Sequence, residues 1–170
     1  QVEAFGEPGY LIVPNGFHRM DSVIYKQRYP GLEVLCPEGA RKKVSRVVQV
    51  AGHLDEMPKD ANVEVFHLRG MKQTEGAIRV RGADGAGVVF NDTVLNMEPT
   101  GGFGGFFMAP TGTLGVPRFM RWMMMKDGAE LKEHLNELAA TPGLSHLVPG
   151  HGDVLAADAG AQLQQAAGRL

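Results

Sequence analysis

LVPGHGDV, residues Leu147–Val154, is the stretch on which the reading of this chain turns. Leu147 and Val148 are the apolar end of a buried strand. Pro149 and Gly150 stop it, because proline has no N–H to give a strand ladder and glycine permits a sharp reversal. His151 is therefore delivered at the strand's C-terminal edge, on a loop flanked by small residues. In layered α/β folds ligands bind at such strand ends. A rigidly held imidazole with close backbone access suits a metal or phosphate site. The alternative is a tight turn that carries a surface histidine.

Two other strands end in the same way. Tyr10–Val13 (YLIV) is an apolar strand stopped by Pro14-Asn15-Gly16, with His18 and Asp21 following. Gly87–Phe90 is a strand that ends at Asn91-Asp92-Thr93. If the three ends converge, His18, Asp92 and His151 meet at one rim and make a plausible divalent metal site. A His–Asp pair acting as a general base needs no metal. The structural alternatives are that Asp92 caps the following segment and that His18 packs in its own turn.

Between these ends the chain reads as a layered α/β protein. Helix Asp21–Tyr29, strand Leu32–Cys36 and helix Ala40–Val48 follow the first strand and form a parallel unit. Val63–Leu68 and Glu75–Arg81 alternate, Asp84-Gly85 is a hairpin signal, and with Gly87–Phe90 they make an antiparallel meander. Thr100–Gly115 reads as a loop, with Phe103, Phe106, Phe107 and Met108 among six glycines. Pro117 opens a helix with Phe119, Met120, Trp122 and Met123, continued by Met124 and Met125. This methionine-rich run reads as core or as a face for homo-oligomer formation. Glu130–Ala140 is amphipathic, with Leu131, Leu135 and Leu138 on one stripe and His134 beside it. Ala156–Leu170 closes the chain as a helix. No repeat or linker divides residues 1–170, so they are read as one domain.

Composition narrows the function classes. At 170 residues the chain is long enough for a real core. A net charge of -2 gives no electrostatic case for nucleic acid or an anionic membrane surface. No apolar run approaches the roughly 20 residues of a membrane span, and no signal-peptide pattern is present. Cys36 is the single cysteine, which fits a reducing, cytoplasmic setting.

The order of elements and three local patterns resemble the metallo-beta-lactamase superfamily, whose fold is an αββα sandwich. VVFNDTVLN (Val88–Asn96) resembles the family strand that ends in a GD-(T/S)-L-F turn, which maps the metal-binding aspartate onto Asp92. VPGHGDV (Val148–Val154) resembles the late PGHG turn, which maps a ligand histidine onto His151. PNGFHRMDS (Pro14–Ser22) stands where the family carries H-x-H-x-D-H. His18 fills one histidine place, and Met20 and Ser22 then stand where a second histidine and the aspartate belong. Aligning Asp21 to that aspartate instead puts Phe17 and Arg19 at the histidine places. Leu68–Glu75 corresponds to the PGHTxG turn, with Met71 at the ligand position and His67 nearby. The likeness covers nearly the whole chain, and it implies that the first β-strands of the family are lacking.

The resemblance implies a metal-dependent hydrolase, and the departures limit what its centre can hold. A binuclear zinc site needs four or five histidines plus carboxylates, and a methionine thioether is a poor partner for zinc beside a carboxylate. The expectation is therefore at most one zinc or other divalent ion, held by His18, Asp92 and His151. Asp21 or Asp153 would orient water or a ligand imidazole. The substrate would be a small-molecule ester, thioester or lactone. The other expectation is an inactive member of the fold, serving as a binding module through the Gly101–Gly115 loop and the methionine-rich helix.

Overall fold

The computed structural model describes residues 2–98, 101–109 and 113–170. Strand β1 (Tyr10–Ile12), helix α1 (Ser22–Arg28) and strand β2 (Glu33–Cys36) follow in order. A 3-10 turn, Glu38–Ala40, leads into the short helix α2 (Arg41–Val44) and strand β3 (Gly52–His53). β1, β2 and β3 lie side by side as a parallel sheet. Its core is small: Val13, Val34 and Cys36 pack against Ala40, Val44 and Val48. The expected helix Ala40–Val48 is thus shorter than its composition suggested. Gly39 donates its N–H to the Gln73 carbonyl, which ties the turn to a distant loop.

Four strands make the second sheet: β4 (Val63–His67), β5 (Gly76–Gly82), β6 (Gly85–Val89) and β9 (Leu144–Val148). β4, β5 and β6 are the expected antiparallel meander, and β9 joins the far edge of β6 in parallel. Helices α5 (Gly128–Ala139) and α6 (Ala159–Gly168) pack with this sheet. Their stripes, Leu131, Leu135 and Leu138 with Leu163 and Ala166, are fully buried together with Val88 and Leu147. Asp127 fixes where α5 begins, its Oδ1 accepting the N–H groups of Ala129 and Glu130 at 2.8 and 3.1 Å. α6 starts later than Ala156. Asp158 sits at φ 49°, a left-handed backbone no helix accommodates, and Leu155 is still paired with Leu147.

Between these parts lie the ribbon of β7 (Leu95–Asn96) and β8 (Leu114–Gly115) and two helices, α3 (Gly102–Met108) and α4 (Arg118–Met123). The expected loop Thr100–Gly115 is corrected in part. Residue 100 and residues 110–112 lie outside the described residues, and most of the remainder is α3. Glycine disfavours a helix, but tertiary contacts hold this one. Phe103 and Phe107 meet one turn apart at 4.8 Å between centroids. The Arg118 guanidinium lies 4.0 Å over the Phe106 ring and donates to the Phe106 carbonyl at 3.1 Å. Met120, on α4, is buried in the main core, and Met124 and Met125, past the end of that helix, pack against the core. Trp122 is the side chain that stands out into solvent. No helix among the described residues is long and apolar enough to cross a membrane.

Candidate metal centre

Asp92 follows β6 in the turn Asn91-Asp92-Thr93, and the Pro149–Asp153 turn after β9 is sewn onto it. Gly150 donates its N–H to the Asn91 carbonyl at 3.3 Å, and Asn96 donates its N–H to the His151 carbonyl at 3.0 Å. The Asn96 side-chain amide donates to the Asp153 carbonyl at 2.7 Å. Both glycines are required by this closeness. A Cβ on Gly150 would press on the Asn91 carbonyl, and one on Gly152, which sits at φ 91°, would overlap the Asn96 carbonyl. His151 and Asp92 are thus placed by one shared scaffold.

His18 arrives from the other sheet through a turn organised by Asn15. The buried Asn15 side-chain oxygen accepts the N–H groups of Phe17 and His18 at 2.7 and 3.0 Å, folding the chain after β1 back on itself. Its amide nitrogen donates to Asp92 Oδ2 at 2.6 Å. One side chain therefore shapes the His18 turn and orients the Asp92 carboxylate.

The three expected ligands come together. Asp92 Oδ1 lies 3.0 Å from His18 Nε2 and 3.2 Å from His151 Nε2. One ligand atom from each residue lies within 4.8 Å of the others. Donors bound to one tetrahedral zinc at roughly 2.0–2.2 Å are about 3.3–3.6 Å apart. The two Asp92 contacts are slightly shorter and the whole group lies within 4.8 Å, a spread that one small divalent ion spans with small side-chain adjustments. The donor chemistry also fits, with two imidazoles and one carboxylate oxygen. The second carboxylate oxygen is committed to Asn15, an outer partner of the kind that holds a ligand in orientation. Both imidazoles are partly exposed, which leaves an open side. No other His, Cys, Asp or Glu joins the group among the described residues.

Asp21 and Asp153 are not brought to this centre. Asp21 is exposed at the start of α1 and is not in the group that His18 forms with Asp92 and His151. The exposed Asp153 contributes its backbone carbonyl to the turn, and its carboxylate is not part of the cluster. Neither lines the cavity at the centre. The positions where the family pattern fails are explained by their surroundings. Met20 is exposed, and Ser22 is buried and donates to the Arg19 carbonyl. Met71 is buried in the main core and bridged to Met125. Gly70, at φ 75°, packs directly on the backbone of Asp127 and Leu131. His67 ends β4 with its Nε2 3.9 Å from Asp55, away from the cluster. His134 accepts the Arg69 N–H at 2.9 Å, and burial pushes its pKa below the usual imidazole value.

Sequence reading did not single out Asn15 or Glu75. Glu75 is buried behind Asp92 and accepts the Thr93 N–H. Burial pushes its carboxyl up to about 7, the negative Asp92 adds to this, and the bonds from Thr93 and Asn15 oppose it. The Pro-Asn-Gly triplet carried a signal for Asn15, since an asparagine there makes Asx turns. Nothing local marked Glu75.

Beside the cluster opens a cavity of about 270 Å³. Its apolar lining is Phe17, Leu95, Met108, Pro117, Phe119 and Met120, and His18, Asp92 and His151 form its polar end.

No family model matches the chain, and no curated protein sequence matches it. Solved structures do. DIM-1 metallo-beta-lactamase exposed to ceftazidime superposes with a TM-score of 0.57 at 11% identity, over 93% of this chain and 66% of that one. TMB-1 gives 0.60 at 11% identity, over 99% of this chain and 72% of that one. The metallo-beta-lactamase FIM-1 from Pseudomonas aeruginosa, in its mono-zinc form, gives 0.54 at 12% identity, over 94% and 66%. The chain has the metallo-beta-lactamase fold and spans about two thirds of the length of these structures.

Proposed function

We propose that the protein is a metal-dependent hydrolase with a single divalent ion, zinc or a close substitute, that acts on an ester, thioester or lactone. The observation that carries this reading is the meeting of His18, Asp92 and His151 at the polar end of an apolar cavity. Three donors spaced for one ion, with an open side facing a cavity, are what a catalytic mononuclear site requires. The ion, when bound, supplies Lewis acidity toward a carbonyl or a water.

The protein's own residues do the rest. His18 and His151 present Nε2, and Asp92 presents Oδ1. Asn15 keeps Asp92 from rotating, and the shared turn holds His151 against Asp92. The apolar walls seat the acyl group and exclude bulk water. In the reaction a water oxygen bonds to the acyl carbon, the bond from that carbon to the leaving oxygen or sulfur breaks, one of the water's protons ends on the leaving group, and the other stays with the carboxylic acid product. Neither the exposed Asp153 nor Asp21 is needed for the geometry described. A reducing, cytoplasmic setting suits Cys36, which is buried in the small core.

The test is turnover of p-nitrophenyl acetate, an acetyl thioester and a γ-lactone by zinc-loaded protein and by Asp92→Ala. Turnover of at least one class, reduced about 100-fold or more in Asp92→Ala, is expected, since a Lewis-acid centre is worth several kcal/mol. Equal rates in both proteins, or none in either, would overturn the reading.

A further inference from the structure

The cavity's chemistry goes beyond the reaction class and names the acyl group. We propose that it takes an uncharged, apolar acyl chain, with the carbonyl at the His18–Asp92–His151 end and the chain tail toward Met108 and Phe119. The inference rests on the hydrolase reading above and concerns the same site.

Three observations carry it. First, the walls beyond the polar end are side chains of Phe, Leu, Met and Pro, with neither lysine nor arginine among the described residues that form them. Second, the cations next to these walls do not themselves line the cavity, and each has a contact of its own. Lys43 Nζ lies 4.7 Å over the ring of Phe17, and Arg118 is stacked on Phe106 and bonded to its carbonyl. Arg121 donates to the carbonyls of Val116 and Arg169. A carboxylate on the substrate's tail would lose its water there and meet no lysine or arginine among the described lining residues, which is costly. Third, the cavity of about 270 Å³ falls just short of the roughly 300–1,000 Å³ that drug-sized ligands occupy. A short chain fills it. Met108, on α3, lines the cavity and is half exposed.

The test compares p-nitrophenyl acetate, butyrate and hexanoate with p-nitrophenyl hydrogen adipate, which has the hexanoate chain length and a terminal carboxylate. Hexanamide serves as an uncleaved binding probe, measured by calorimetry. Met108→Lys places one cation in the cavity lining, on a half-exposed position that tolerates it. In the wild type, kcat/KM should rise roughly fourfold per methylene until the cavity is full. Hydrogen adipate should fall at least tenfold below hexanoate. Met108→Lys should narrow that gap and weaken hexanamide binding. If no ester is cleaved yet hexanamide binds and Met108→Lys weakens it, the hydrolase reading fails and the cavity assignment stands. If esters are cleaved without dependence on chain length, or hydrogen adipate matches hexanoate, the cavity assignment is overturned and the hydrolase reading stands. No cleavage and no hexanamide binding would overturn both.

Discussion

Asn15 joins the turn after β1 to Asp92 through one buried amide, accepting two N–H groups and donating to a carboxylate oxygen. Removing it leaves those groups without partners. Asn15→Ala is expected to cost about 1–3 kcal/mol of stability and to weaken divalent-ion affinity about 10- to 100-fold, measured by denaturant unfolding and by ion titration. Unchanged ion affinity would show that Asn15 does not orient Asp92.

Glu75 is the second such residue, and it acts on pH dependence. Its native carboxyl holds its proton up to about 7, against an ordinary value of 4.5 in the unfolded chain. Between those values the native state binds more protons than the unfolded state, so its contribution to stability falls as pH rises through that window and levels off above it. Glu75→Gln removes this dependence. For chelator-treated protein, the melting temperature of the variant relative to the wild type is expected to be higher at pH 8 than at pH 5. A constant difference across that range would count against the buried, protonated carboxyl.

At the scale of elements, the late turn separates required glycines from incidental ones. Gly152→Ala must place a Cβ into the Asn96 carbonyl at a left-handed backbone. It is expected to cost more than about 2 kcal/mol and to displace His151. Gly104 in α3 has open space at its Cβ position. Gly104→Ala is expected to add up to about 1 kcal/mol by helix propensity alone. Paired melting curves decide this, and equal effects of the two changes would contradict the account.

The same elements show what could be read from sequence. Apolar runs cut by Pro-Gly or Asn-Asp put His18, Asp92 and His151 at strand ends, because proline and glycine act locally on the backbone. The meander of β4 to β6 was legible from alternation. α3 was not, since its glycines argue for a loop and its helix rests on Phe106 meeting Arg118 from α4, a contact no local pattern announces. Glu75 escaped for the same reason: its neighbours Thr93 and Asn15 are distant in sequence. Asp21 and Asp153 stand close to the histidines in sequence, but neither joins the cluster or lines its cavity.

At the scale of the molecule, the centre lies across a seam. His18 belongs to the layer built on the small core of β1, β2 and α2, whereas Asp92 and His151 belong to the layer built on the large core. Fewer buried side chains hold the first layer, so its amides open at lower cost. Hydrogen exchange is expected to show weaker protection in β1 and β2 than in β6 and β9. Added zinc should raise protection in the first layer most, because an ion shared across the seam binds only when both layers are in place. Zinc that left exchange in β1 and β2 unchanged would contradict a bridging ion.

The central claim is that His18, Asp92 and His151 hold one divalent ion. Elemental analysis of the wild type, His18→Ala, His151→Ala and His134→Ala, all purified alike and dialysed against zinc, tests it most directly. The account predicts about one ion per chain in the wild type and in His134→Ala, and loss of that ion in His18→Ala and His151→Ala. A wild type without metal, or metal retained in His151→Ala, would contradict it.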